Sequence, residues 1–249
     1  MSLRPYVLSI AGFDPSGGAG ILADIKTFEA HHTLGLGVCS ALTYQTESIF
    51  EGVSWVTQEQ IKKQLVPLLK AYTFDYVKIG LIENIGVLNS IISYLLSKNP
   101  NVRIVWDPIL SASSGFEFHA SIPEKQLAEL AEKVYLITPN LKEIKQLFPK
   151  LTEEEAAIQL SKHCAVFLKG GHSLANTSND ILFIKGEKVI FESERLHSDK
   201  HGTGCVLSSS ITALLAKGVS LEEACKKAKE YTANFLTSTS TLLGYHYYA

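Results

Sequence analysis

The chain has 249 residues and a formal net charge of −2 at pH 7, a length that fits one large α/β domain or two small ones. Hydrophobic residues make up 46% and charged residues 19%, the balance of a globule with enough apolar surface for a sizeable core. With near-neutral charge and no basic stretch, nucleic acid is not an expected partner, and no apolar run approaches the ~18 residues of a membrane helix.

Tyr6 to Ala11 reads as a buried strand that runs into the turn-rich Gly12-Phe13-Asp14-Pro15-Ser16-Gly17-Gly18 and then a helix from about Ala19 to His32. Gly37 to Thr43 and Ile49 to Val56 read as the next two strands. Thr57 caps a helix to about Ala71, in which Pro67 predicts a kink. Tyr76 to Ile79 is a short apolar strand. A helix follows from Gly86 to Lys98, with Val87, Leu88, Ile91, Ile92 and Leu95 on its inner side. Val102 to Trp106 is a strand ending on Asp107-Pro108. A loop through Ser111 to Phe118 leads to a helix from about Pro123 to Glu132.

Val134 to Ile137 is a strand ending at Thr138-Pro139-Asn140, followed by short helices. The second of these opens on the capping box of Thr152 and Glu155. Ala165 to Lys169 is a strand stopped by Gly170-Gly171. Asp180 to Lys185 and Lys188 to Glu192 read as a hairpin about Gly186-Glu187. The last helix is capped by Ser220 with Glu223. Strand and helix alternate for most of the length, without linker or repeat, so residues 1–249 are expected to form a single α/β domain. Its expected core is a doubly wound, mostly parallel sheet flanked by helices. In such sheets ligands sit beyond the carboxyl ends of the strands. Six polar clusters follow strands here: Gly12 to Gly20, Thr43 to Glu47, Asp107-Pro108, Thr138 to Glu143, Lys169 to His172, and the run ending at Cys205.

That last run, His201-Gly202-Thr203-Gly204-Cys205, precedes a helix with Leu207, Ile211, Leu214 and Leu215 on one face and Gly218 as its stop. Unpaired N–H groups and the positive end of the helix dipole make such a start a phosphate site, and a cysteine there is expected to have its thiolate favoured. The same residues also fit a plain Gly-rich turn with Cys205 as a small core residue. Gly18-Ala19-Gly20-Ile21-Leu22-Ala23 satisfies a relaxed dinucleotide fingerprint. Its long insertion after the strand, and the absence of an acid about twenty residues on, speak against a nicotinamide cofactor. A Walker A sequence is absent. The four cysteines, Cys39, Cys164, Cys205 and Cys225, are scattered, so neither a disulfide framework nor a metal knuckle is expected. Without a secretory leader pattern, a reducing cytoplasm is the expected home.

Ala11 to Gly20 with Ala23-Asp24-Ile25-Lys26-Thr27-Phe28 resembles the opening of the hydroxymethylpyrimidine/phosphomethylpyrimidine kinases of thiamine biosynthesis, within the ribokinase-like superfamily. Further matches follow in family order: Ala41 to Gln45, Lys78-Ile79-Gly80, Trp106-Asp107-Pro108, Thr138 to Glu143, Leu168 to His172, Asp180 to Phe183 and His201 to Cys205. The resemblance implies a ribokinase-like fold and transfer of the γ-phosphoryl of ATP, with Mg2+, to a hydroxymethyl on a heteroaromatic ring, and then to the resulting monophosphate. It implies an anion hole from Gly202, Thr203, Gly204 and Cys205, with Cys205 as the base that deprotonates the substrate hydroxyl. Gln45 would pair with the pyrimidine edge, and Gly12, Thr43 and Asp24 would lie nearby, although Asp24 also suits a brace for the first helix. Asp107, Asn140 and Glu143 would hold magnesium through waters, with Asn140, Glu143 and Lys169 near the nucleotide. His172 is expected to be structural, and Asp180 to serve either the Gly-Gly turn or the nucleotide.

Departures from the family pattern include Phe13 after Ala-Gly, Leu81-Ile82-Glu83, the missing lysine in Ser111-Ala112-Ser113-Ser114-Gly115, and Lys200 in place of a threonine, a possible compensating charge. They put substrate choice in question. The alternative readings are a pyridoxine, pyridoxal or pyridoxamine kinase and a catalytically weak vitamin-binding protein. The resemblance further implies a homodimer through the Val38–Val53 region.

Overall fold

The computed structural model describes residues 4–111, 118, 122–170, 178–193, 196 and 198–247. Ala112 to Gly115, Gly171 and His172, singled out above, lie outside the described residues.

The first half of the chain forms β1 (Tyr6–Phe13), α1 (Gly20–Ala30), β2 (Leu34–Gln45), β3 (Phe50–Trp55), α2 (Gln58–Ala71), β4 (Tyr76–Ile79), α3 (Ile85–Lys98) and β5 (Arg103–Trp106). The second half continues with α4 (Glu124–Ala131), β6 (Leu136–Ile137), α5 (Leu141–Leu147), α6 (Glu153–Leu160), β7 (Ala165–Leu168), β8 (Asp180–Ile184), β9 (Glu187–Phe191), α7 (Thr203–Ala216) and α8 (Leu221–Leu236). Among the described residues these strands make one sheet in the order β3-β2-β1-β4-β5-β6-β7-β8-β9. Neighbours from β2 through β7 are parallel, while β3, β8 and β9 each pair antiparallel with the strand before them.

Helix starts follow the local chemistry. Thr57–Gln60, Asn140–Glu143 and Thr152–Glu155 are full capping boxes, and Asn84 and Ser220 accept from the N–H three residues on. Two expectations are corrected. β2 is longer than Gly37 to Thr43, which puts Gln45 on the strand itself. α2 runs to Ala71 as expected, with Pro67 inside it. The hairpin turns on Lys185 and Gly186, both at positive φ, rather than on Gly186-Glu187, because a two-residue turn of that hand matches the twist of the strands.

Side chains alternate across the sheet into two cores. Ile104, Trp106, Ile137, Val166 and Leu168 face α2 to α6, while Val105, Leu136 and Phe167 face α7 and α8. α7 is buried from Cys205 to Leu215, serines included, and not along one stripe alone. It crosses the sheet as a central helix packed against β1, β4 and β5. Strand order reverses between β1 and β4, so the crevice beyond their carboxyl ends is where a ligand belongs.

Candidate active site

The N-terminus of α7 opens onto that crevice. Gly202 sits at φ +77° as the N-cap, and a Cβ there would lie 2.0 Å from the Gly18 carbonyl oxygen. No other residue lets the late loop approach the early one so closely. Gly20, at φ +60°, is pressed against the Gly12 carbonyl in the same way, with a Cβ falling 2.2 Å from it. Asp14 ties the two loops together. Its carboxylate accepts from the Ser16 and Ala19 N–H groups at 2.9 and 2.8 Å and meets His201 Nε2 at 2.9 Å. Burial alone would raise the Asp14 pKa, but the His201 and Ser16 hydrogen bonds outweigh it and hold the carboxyl below its ordinary value. The bare amides at the start of α7 are thus fixed by residues from both ends of the chain.

Beside this start lies an acidic and basic cluster supplied by successive strand ends. Lys169, just after β7, donates from Nζ to Asp107 Oδ1 at 2.8 Å and lies 3.7 Å from Glu143 Oε2. The amine also borders Gly204, where a Cβ would stand 3.4 Å from it. Asp107, just after β5, accepts from Thr138 Oγ1 and from Ser208 Oγ on α7. Asn140 and Glu143 cap α5 reciprocally, so Glu143 is held in place by its own helix. Burial pushes the Glu143 carboxyl from 4.5 up to about 7 against the pull of Lys169, with Asp107 adding to the rise. The Lys169 ammonium keeps its charge despite burial because Asp107 and Glu143 flank it. Asp180 accepts from the Gly170 N–H at 2.7 Å and pairs with Lys229 at 2.7 Å, so it braces the backbone at Gly170.

Cys205 is buried at the first turn of α7. Its sulfur accepts a hydrogen bond from the Gly20 N–H, and its charged neighbours are Lys78, Asp24 and Asp107. The surroundings are therefore polar, but the expected lowering of its pKa is not met. Desolvation pushes the thiol up to about 11, and Lys78 offsets only part of that. Lys78 itself is fully buried and donates at 2.8 Å to both oxygens of Asp24. Ser9 and Ser209 donate to the same carboxylate at 2.5 and 2.7 Å. With every strong acceptor direction engaged and no exposed surface, Asp24 braces the floor of the site; the expectation that it touches substrate does not fit this geometry.

The outer end of the crevice is built on β1 and β2. Gln45 Nε2 donates to Thr43 Oγ1 at 2.9 Å, and Thr43 Oγ1 donates to the Phe13 carbonyl at 2.9 Å. Gly12 leaves room for Leu81, whose Cδ2 would sit 3.1 Å from an added Cβ. Thr43 is thus tied to the end of β1, and the Gly12 carbonyl beside it lies against Gly20 in the loop that packs on the start of α7. Lys200 lends no charge to the crevice, because its ammonium is turned to the Thr239 and Thr241 carbonyls.

Sequence reasoning missed six members of this assembly. Lys78 was legible only as part of Lys78-Ile79-Gly80, although a lysine inside a four-residue apolar strand is itself a sign of a buried pair. His201 and Asp14 gave no separate signal, apart from the turn chemistry of Asp14-Pro15-Ser16. The consecutive serines Ser208, Ser209 and Ser210 drew no separate reading, yet each meets a different partner: Asp107, Asp24 and His31.

Residues 14–248 match the family model described as phosphomethylpyrimidine kinase. A hydroxymethylpyrimidine/phosphomethylpyrimidine kinase of Aquifex aeolicus is 34% identical over 94% of this chain and 95% of its own length. The bifunctional thiamine biosynthesis protein of Methanocaldococcus jannaschii is 30% identical over 96% of this chain, which spans 55% of that longer protein. Among solved structures, Staphylococcus aureus pyridoxal kinase in complex with AMP-PCP and pyridoxal superposes with a TM-score of 0.82 at 26% identity, covering 96% of this chain and 89% of the other. The fold is ribokinase-like, and with the match running through both Gly-rich loops, the chain belongs to the phosphomethylpyrimidine kinase family.

Proposed function

We propose that this chain is an ATP-dependent kinase that phosphorylates the hydroxymethyl group of 4-amino-5-hydroxymethyl-2-methylpyrimidine and then its monophosphate. The observation that carries the reading is the Lys169 ammonium beside Gly204 at the bare start of α7, a cradle for a migrating phosphoryl group. Phosphoryl transfer asks a protein mainly for positioning and charge stabilisation. The N–H groups from Gly202 to Cys205 supply fixed donors toward the equatorial oxygens, and Lys169 adds a cation already oriented by Asp107. Asn140 and Glu143 border the nucleotide end. Gln45 presents donor and acceptor to an aminopyrimidine edge, with Gly12 and Thr43 shaping the wall behind it.

Cys205 is the group beside the acceptor alcohol in this reading and takes its proton as the new P–O bond forms. Since the ligand-free thiol is protonated at neutral pH, turnover depends on the small thiolate fraction that Lys78 sustains. The buried, oxygen-only pair of Asp107 and Glu143 fits a magnesium ion that keeps most of its waters. When bound, the ion neutralises phosphate charge. A homodimer is also part of the proposal. At the sheet edge, β2 and the connection to β3 expose Leu42, Tyr44 and Ile49 near Gln45, so a second copy would wall the substrate end.

The likeness to a pyridoxal kinase favours a second reading, phosphorylation of pyridoxal. Phosphorus NMR with ATP and each acceptor decides between them. The expected result is the pyrimidine monophosphate followed by the diphosphate. A pyridoxal kcat/KM more than about tenfold higher overturns the order, and no product from either acceptor overturns the kinase reading.

A further inference from the structure

Lys200 stands immediately before His201 and is 8% exposed. Buried lysines elsewhere in the molecule face carboxylates: Lys78 meets Asp24 and Lys169 meets Asp107, as burial of a charge requires. Lys200 differs. Among the described residues its ammonium makes no ion pair, and its partners are main-chain carbonyl oxygens, Thr239 O at 2.6 Å and Thr241 O. Both belong to the loop beyond α8. That loop is folded on itself by Thr239 Oγ1 and Thr241 Oγ1, which donate to the Leu243 carbonyl at 2.6 and 3.1 Å. It is also latched to the anion loop. His201 N–H donates to the Leu242 carbonyl at 2.9 Å, and the Leu243 side chain packs on Gly18, where a Cβ would fall 2.8 Å from it.

Two neutral carbonyl oxygens turned on one positive charge are the kind of ligand a monovalent cation takes, with backbone dipoles in place of its hydration shell. They differ from the carboxylate-rich cages of divalent ions. We propose that this carbonyl cluster is a monovalent-cation site that the chain fills with its own Lys200 ammonium, setting the loop before α7 without an external ion. The charge sits at the residue preceding the loop that turns into α7, so it both anchors the loop covalently and pins the segment beyond α8 beneath it. Removing the side chain while leaving the carbonyls should convert a built-in cation into a requirement for a dissolved one. The consequence for turnover rests on the kinase reading; the consequence for stability does not.

The test compares wild type, Lys200→Ala and Lys200→Met in potassium, ammonium, sodium and tetramethylammonium chloride at equal ionic strength. Wild type should melt and turn over alike in potassium and tetramethylammonium. Lys200→Ala should melt roughly 4–8 °C lower in tetramethylammonium, the scale of lost charged hydrogen bonds in a chain of this length. It should regain most of that loss in potassium or ammonium, with saturation, while its turnover, about tenfold or more down, recovers in parallel. Lys200→Met, whose stem still fills the space, should not recover. If Lys200→Ala folds in no salt, Lys200→Thr carries the same comparison. Equal melting of the shortened variant in potassium and tetramethylammonium overturns the proposal, as does potassium activation of wild type. Recovery of melting with no phosphoryl transfer in any protein would leave the cation site standing and refute the kinase reading.

Discussion

Replacing Glu143 by glutamine isolates the group on which the acidic cluster turns. Glutamine keeps the side-chain oxygen that accepts the Asn140 N–H at 2.7 Å, so the α5 capping box survives and only the titration is removed. The wild-type carboxyl moves from 4.5 to about 7, because burial outweighs the attraction of Lys169 and Asp107 adds to the rise. The folded state therefore binds this proton more tightly than the unfolded chain does. The stability so contributed is complete below pH 4.5 and is lost as the pH climbs through about 7. At 1.36 kcal/mol per pKa unit, the loss between pH 5 and pH 8.5 is about 2.5 kcal/mol.

Urea unfolding of both proteins across that range measures it directly. Glu143→Gln should gain on wild type by about 2.5 kcal/mol from the acid to the alkaline end. Parallel profiles would refute the reasoning, because they would mean that Glu143 is already ionised at pH 5 in the folded protein. The same proton bears on function. A cation brought beside Asp107 and Glu143 favours the carboxylate, so binding of magnesium and nucleotide at pH 7 should release a proton. Calorimetry in two buffers of different ionisation enthalpy would show that release.

The two helix-end glycines make a matched pair. Gly202→Ala must place a Cβ 2.0 Å from the Gly18 oxygen at φ +77°, whereas Gly218→Ala, at φ +83°, meets nothing within 4 Å. Denaturant melts should show a cost of roughly 1 kcal/mol for Gly218→Ala and roughly 2–4 kcal/mol for Gly202→Ala, with nucleotide affinity lost only in the latter. Cys205→Ala should cut turnover by about 10²–10⁴-fold with unchanged folding. Wild-type turnover should rise with pH above 7, since the thiol is pushed up to about 11; a flat profile in single-turnover measurements removes the thiolate from the mechanism. Gln45→Ala should raise KM for the pyrimidine and leave KM for ATP nearly unaltered; failure of nucleotide binding instead would place Gln45 at the wrong end of the crevice.

Much of this site was legible because strand-end punctuation is local. Asp107-Pro108, Asn140 with Glu143, and the glycines around Thr203 announce themselves through turn and cap chemistry, and the alternation of elements predicts that they share one edge. What sequence hid is the chemistry of burial. Cys205 at a helix start suggests a lowered pKa, but that reasoning assumes solvent, and desolvation reverses the sign. Asp24 carries the marks of a ligand contact until Lys78, 54 residues away, is seen to occupy both its oxygens. Lys200 invited a reading as a phosphate-facing charge, and only the fold of the segment beyond α8 shows which way it points.

The buried charges of the site are held by partners in the ligand-free protein. Lys78 is matched by Asp24 and Lys169 by Asp107, while Glu143, its pKa pushed up to about 7, is half neutral at that pH. The ammonium ions are thus held in place by partners, so reorganisation at the moment of transfer is small. In the proposed reaction an incoming polyphosphate would compete with Asp107 for Lys169, and a cation beside Asp107 and Glu143 would compensate the carboxylates so released. Nucleotide and cation should therefore bind with positive coupling that passes through Lys169, and a Lys169→Met substitution would weaken that coupling more than it weakens either ligand alone.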